Sequence, residues 1–238
     1  MNVFKYRNGN ENDIDALFQD YFYSPLAEEL NDPFETFVDS ESYKKEIDKL
    51  IKRKNKQNSY DVISNRNNLI ATLGNLLDRL DRNVGYYSLS KNKLNETMWA
   101  LYANSHKGFC IEYDLDELLK PEERSKYRYR IDVQYQDKPS IINTADFDRI
   151  KKDKGKSIIS KKGGCKSKAW AHEEEIRIIT DKIGRNNYQA SALKAIYFGI
   201  RMSKEQKDLI LNHFEGSNVQ IYQMELIKDT YKLTYRTY

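Results

Sequence analysis

The stretch Trp170-Ala171-His172-Glu173-Glu174-Glu175-Ile176-Arg177 carries the densest chemistry in the chain. In a strand, residues two apart point the same way and sit about 6.6 Å from each other. A strand here puts Glu173, Glu175 and Arg177 on one face, with Ile176 and Ile178 on the other and His172 turned away from Glu173. Two carboxylates so close repel unless something stabilises them. Such a pair can share one proton or bind a cationic transition state. The competing reading is a solvated strand edge with a Glu175–Arg177 ion pair. Tyr87-Ser88-Leu89-Ser90 places two hydroxyls on one face of a strand end. There they orient a ribose or an amide, or merely end the strand by bonding its backbone. Arg7 closes the first strand, where a guanidinium can take phosphate bidentately or sit as an ordinary surface arginine. His106, His172 and His213 share no ligand spacing, and Cys110 and Cys165 form neither a disulfide framework nor a zinc pair. No metal site is expected.

The elements that must hold these groups follow from periodicity. Val3–Arg7 reads as a strand. Ile14, Leu17, Phe18 and Tyr21 predict a helix capped by Asn12 or Asp13 and broken at Tyr23-Ser24-Pro25. Asn31-Asp32-Pro33-Phe34-Glu35 is turn chemistry. Two helices make an insert around residues 40–82: Tyr43, Ile47, Leu50 and Ile51 stripe the first, and Leu69, Ile70, Leu73, Leu76, Leu77 and Leu80 the second. Lys52–Ser59 reads as a loop between them. Val84–Leu89 predicts a strand, Thr97–Ala103 a short helix with Trp99 and Tyr102 in the core, and Gly108–Tyr113 a strand. Tyr127–Tyr135 predicts one further strand with Tyr127, Tyr129, Ile131, Val133 and Tyr135 on one face. Residues 149–168 read as a mobile basic loop, and Lys161, Lys162, Lys166 and Lys168 are its candidate nucleic-acid contacts, unless the loop is simply solvated. Glu174–Thr180 and Leu193–Phe198 are strands. Ser203 and Gln206 form a capping box, and Val219–Leu226 with Thr230–Tyr238 make a hairpin. Strands and helices mix without a βαβ rhythm. That predicts an α+β fold over residues 1–238: one domain with a mixed or mostly antiparallel sheet and flanking helices.

The chain has 238 residues, with 40 Lys+Arg against 36 Asp+Glu for a net charge of +4. That excess is too small to argue for a nucleic-acid partner by itself; the position of the charge says more. With 18 Tyr, 9 Phe and 2 Trp it is too aromatic to be disordered. No apolar run approaches the ~18 residues of a membrane span, and the first thirty residues show no signal-peptide pattern. A cytoplasmic protein is the expectation.

Five blocks carry a resemblance. They are Asn31–Glu35, Ser88-Leu89-Ser90, Met98–Tyr102 with His106–Ile111, Trp170-x-x-Glu173-x-Glu175-x-Arg177, and Ala195-Ile196-Tyr197-Phe198-Gly199. In this order they resemble a bacterial family known only as a domain of unknown function, found near mobile elements and abortive-infection genes. A more distant resemblance is to the arginine-type ADP-ribosyltransferases, which carry an Arg on their first core strand, then a Ser-x-Ser, then a Glu-x-Glu. Arg7, Ser88-x-Ser90 and Glu173-x-Glu175 follow that order. Leu89 stands where those enzymes usually have Thr, the insert after Arg7 is long, and Arg177 replaces an apolar residue. The resemblance implies an ADP-ribosyltransferase-like fold with NAD as substrate. Glu175 would stabilise the oxocarbenium-like ribose as nicotinamide leaves, and Glu173 would position the acceptor. Arg7 would take the pyrophosphate, and Ser88 and Ser90 would align the ribose, with Tyr6, Tyr87 or, failing its core role, Trp99 stacking on nicotinamide or adenine. It further implies an effector or toxin in phage defence, a nucleic-acid or protein acceptor reached through the basic loop, and a cognate antitoxin or defence-system partner. Two other readings stand beside it. One is a catalytically inert nucleotide- or nucleic-acid-binding sensor. The other is a metal-dependent nuclease in which Asp114 or Asp32 joins Glu173 and Glu175.

Overall fold

A computed structural model describes residues 1–32, 34, 40–54, 59–121, 125–153 and 155–238. Pro33 and Glu35 of the expected turn, the middle of the expected 52–59 loop and Lys154 lie outside the described residues, as do the side chains of Tyr43, Leu50, Leu73 and Lys151. In chain order the elements begin with β1 (Asn2–Arg7), α1 (Glu11–Phe18), β2 (Tyr21–Ser24), α2 (Ser40–Lys54), α3 (Ser59–Asn83) and β3 (Gly85–Ser90). Next come α4 (Glu96–Tyr102), β4 (Phe109–Asp114), α5 (Leu115–Leu118), β5 (Arg128–Asp132), β6 (Gln134–Gln136), α6 (Thr144–Asp153) and α7 (Lys156–Gly163). The chain ends with β7 (Cys165–Ser167), β8 (Glu175–Thr180), β9 (Gly184–Asn187), β10 (Leu193–Phe198), α8 (Lys204–His213), β11 (Gln220–Leu226) and β12 (Leu233–Thr237).

The fold is α+β. Eight strands form one sheet in the order β12-β11-β10-β4-β1-β3-β8-β5, and two-stranded pieces join β2 with β9 and β6 with β7. Within the large sheet β10 and β11 run parallel, while the other neighbours are antiparallel. Alternation along the strands divides the apolar residues between the two faces. Val3, Leu89, Ile111, Ile176, Ile178 and Ile196 pack with Phe22, Tyr87 and Ile210 in the largest cluster. Phe4, Tyr6, Cys110 and Tyr197 pack with Met98 and Trp99 in a second. Trp99 is fully buried, as its place on a short amphipathic helix predicts. Gly108 admits β4 beside β1, because a Cβ there would stand 2.0 Å from the Arg7 carbonyl oxygen. Among the described residues, no helix is long and apolar enough to cross a membrane.

Several local expectations need correction. The cap of α1 is Asn10, whose side chain accepts from the Asp13 N–H, so the helix starts earlier than Asn12 or Asp13 implies. Tyr21 opens β2 instead of extending α1, because Tyr21–Ser24 pairs with β9. The expected strand 127–135 is two strands. The Val133 N–H still bonds the Glu175 carbonyl, but Gln134 bonds the Gly164 carbonyl, and the chain leaves β8 for β7. The Ser203 hydroxyl caps α8, yet the Gln206 amide donates to the Gly9 carbonyl instead of closing a box. The basic segment is not a loop: it folds into α6, α7 and β7. Ile158 and Ile159 anchor α7, Ile158 against Ile47, Ile51, Leu77 and Ile142.

Candidate functional site

β1 and β3 are bridged at Phe4–Ser90 and then part. In antiparallel register, Lys5, Tyr6 and Arg7 run opposite Leu89, Ser88 and Tyr87, and the space between them is a cleft of about 260 Å³. The seven candidate catalytic and NAD-binding residues, Arg7, Tyr6, Tyr87, Ser88, Ser90, Glu173 and Glu175, all line it. Tyr23, Leu30, Asn31, Met98 and Tyr102 close its sides.

The glutamates reach the cleft by a different route from the one their spacing predicts. Glu173 ends a 3-10 turn (Lys168–Glu173), Glu174 takes a left-handed conformation (φ 47), and β8 begins only at Glu175. Both carboxylates nevertheless meet at Lys166, whose Nζ donates to Glu173 Oε2 at 2.5 Å and Glu175 Oε2 at 3.3 Å. Glu173 also accepts from the Tyr102 hydroxyl at 2.6 Å. Arg177 grips Glu175 bidentately, Nε to Oε1 at 2.6 Å and Nη2 to Oε2 at 3.1 Å, and donates to the Gly163 carbonyl at 2.9 Å. The pair is no solvated strand edge: Arg177 is 0% and Glu175 4% exposed. Burial by itself would raise the Glu175 carboxyl. Arg177, Lys166 and the Ser88 hydroxyl outweigh it and hold Glu175 down at about 2. The Glu175 N–H donates to the Tyr135 hydroxyl at 2.8 Å.

β1 brings two further cations to the cleft. Arg7 Nη1 lies 3.5 Å from Asp13, and its guanidinium sits 5.8 Å from the centre of the Tyr87 ring. Lys5, absent from the sequence reading, donates to the Ser88 carbonyl at 2.8 Å and lies 4.9 Å from the same ring. Burial and then Arg7 pull Lys5 down to about 7, against the opposing fields of Glu175, Asp13 and Glu173. The hydroxyls divide between the two roles their motif allows. Ser88 reaches Glu175, while Ser90 is buried and bonds Asn92 through both its oxygen and its proton, which ends β3. Tyr6 donates to the Asn92 carbonyl at 2.7 Å and packs edge-on to Trp99.

The four candidate nucleic-acid lysines do not form one exposed patch. Lys162 and Lys166 are buried, and Lys166 is committed to the two glutamates. Lys161 bonds Asp146 at 2.6 Å, and Lys168 bonds Asp137 at 2.6 Å on the surface. The lysine count hid this, because the isoleucines between the lysines fold the segment into helices. The acidic additions of the nuclease reading are occupied elsewhere: Asp114 caps α5, and Asp32 accepts from the Phe34 N–H. Among the described residues no group of three or more His, Cys, Asp and Glu side chains gathers as a metal site. His172 sits in the 3-10 turn against the Ala169 carbonyl, and His213 stacks on Phe18 at 3.8 Å.

Fold and site thus define an α+β protein whose sheet opens between β1 and β3 into a small cleft lined by paired glutamates, cations, hydroxyls and tyrosines. Residues 98–178 match the model of a family described as a protein of unknown function (DUF2971). The Met98–Tyr102, His106–Ile111 and Trp170–Arg177 blocks and both glutamates fall within that match; Arg7 and the Ser88–Ser90 motif lie outside it. No curated protein and no solved structure matches the chain.

Proposed function

We propose that this chain cleaves NAD and transfers the ADP-ribosyl group, as the resemblance of its motifs to the arginine-type ADP-ribosyltransferases implies. The observation that supports this is the convergence of Arg7, Ser88, Ser90, Glu173 and Glu175 on one cleft, although they come from three distant parts of the sequence. A volume of about 260 Å³ suits a nicotinamide ribose with its phosphate, and leaves the adenosine half on the rim. The N-glycosidic bond breaks with its electron pair leaving on neutral nicotinamide. The ribose C1′ gains positive charge, and the acceptor nucleophile attacks it as its proton passes to the Glu173 carboxylate. Glu175, kept ionised by Arg177, supplies the negative charge that meets C1′. Glu173 and Tyr102 orient the acceptor side, and Arg7 takes the pyrophosphate. In the cell we propose an effector or toxin of phage defence acting on a nucleic-acid or protein acceptor, held in check by an antitoxin or defence-system partner.

One observation favours the second reading, an inert nucleotide-binding module. Arg177 and Lys166 neutralise much of the Glu175 field, and an ion pair drawn inward this way weakens the charge offered to a transition state. The deciding experiment incubates the protein with NAD and quantifies free nicotinamide by chromatography. Release above the uncatalysed rate, lost in Arg7→Gln and Ser88→Ala proteins that remain folded, supports the transferase. Binding of NAD without release moves the function to the inert module.

A further inference from the structure

Resting on the nucleotide reading of this cleft, we propose that Lys5 and Arg7 together form a two-cation floor that binds a phosphoryl group of the ligand. The two side chains leave the same face of β1 two residues apart, at the point where β1 and β3 part, and both lie over the Tyr87 ring. Both line the cleft. The other cations of the site are committed within the protein: Lys166 to Glu173 and Glu175, and Arg177 to Glu175. Arg7 shares its charge with Asp13 across 3.5 Å. Lys5 has a different partner, the neutral Ser88 carbonyl, which a ligand oxygen can replace as acceptor. With both partners charged, an ammonium–phosphoryl bond is stronger than the ammonium–carbonyl bond it replaces.

The surroundings of Lys5 give this floor a measurable signature. The charged and titratable groups around Lys5 are Arg7 on its own strand, Asp13 on α1, Tyr87 on β3, Glu173 in the 3-10 turn and Glu175 on β8. With Lys5 drawn down to about 7, the unliganded cleft holds a mixture of amine and ammonium near neutrality. A bound phosphoryl group favours the ammonium, so binding takes up a proton. The sign is fixed: affinity is full below pH 7 and falls as pH rises through it, by about tenfold between pH 6 and pH 8 for one linked proton.

The test is calorimetric titration of the whole chain with ADP-ribose, whose pyrophosphate does not itself titrate in this range. It is run at pH 6, 7 and 8 in buffers of different ionisation enthalpy, with adenosine as the phosphate-free control. The expected result is uptake of close to one proton at pH 8, the tenfold fall in affinity, and no such linkage for adenosine. Lys5→Arg keeps a cation that cannot lose its proton and should bind with the slope abolished. Lys5→Met should lose about tenfold at pH 6 and show no slope. ADP-ribose that binds the wild-type protein without proton uptake, and equally well after Lys5→Met, overturns the role of Lys5 alone. A folded wild-type protein that binds no ADP-ribose overturns the nucleotide reading of the cleft, and this floor with it.

Discussion

Replacing Arg177 by Met removes the group that holds Glu175, and the structure sets the expected size of the effect. The Glu175 carboxyl falls from its ordinary 4.5 to about 2 in the folded protein. A difference of that size corresponds to roughly 3 kcal/mol of stability at neutral pH. The folded value is depressed, so this stabilisation is complete above about pH 4.5 and is lost as pH falls towards 2. Between pH 6 and pH 3, Glu175 should therefore withdraw about 2 kcal/mol from the wild-type protein. Arg177→Met leaves Glu175 with Lys166 at 3.3 Å, which places the cost at neutral pH near the lower end of the ~3–5 kcal/mol expected for breaking a buried pair. Urea unfolding followed by the fluorescence of Trp99 and Trp170 at pH 7 and pH 3 measures both quantities. Arg177→Met should lose about 3 kcal/mol at pH 7 and show a shallower acid loss than wild type. The double variant Glu175→Gln/Arg177→Met should lose less than the sum of the two singles. A loss below about 1 kcal/mol with an unchanged acid limb would refute the buried Glu175–Arg177 pair and the electrostatics built on it.

Three further substitutions test the surroundings of the cleft. Gly163→Ala places a Cβ 2.2 Å from the ring of buried Tyr86, in the turn whose carbonyl holds Arg177, and should cost about 1–3 kcal/mol in thermal or urea unfolding. Lys168→Ala removes only a surface pair with Asp137 and should stay within about 0.5 kcal/mol. Lys166→Met strips the buried bridge between two carboxylates and should destabilise several-fold more; equal effects of the two lysine substitutions contradict the buried position of Lys166.

Much of this fold is legible locally. Short apolar and aromatic runs mark β1, β3, β4, β8 and β10, of which β3, β4 and β8 are buried on both faces, and apolar stripes mark the two insert helices. Pairing is not local. Nothing near Leu193–Phe198 states that β10 will lie parallel to β11, and nothing in Tyr127–Tyr135 shows that the chain will exchange β8 for β7 at Val133. The basic segment misled for a related reason: its lysines dominate the composition, while Ile158 and Ile159 decide the structure by burying one side of α7. In the site, motif order located Arg7, Ser88 and the two glutamates. It missed Lys5, although the spacing of Lys5 and Arg7 already puts both on one side of a strand. It also assigned Lys166 to a surface, because a lysine that bridges two glutamates seven and nine residues away is recognisable only once the 3-10 turn folds the chain back.

The proposed cleavage of NAD requires ionised Glu175 to meet the charge that develops on the ribose. The most direct measurement compares single-turnover nicotinamide release with NAD affinity in the wild-type and Glu175→Gln proteins at saturating NAD. Release should slow by ~10²–10³ in Glu175→Gln with the dissociation constant for NAD little changed, because one well-placed charge is lost from the transition state while Lys5 and Arg7 still hold the phosphates. Equal rates in the two folded proteins, or no release from either while NAD binds, would contradict it.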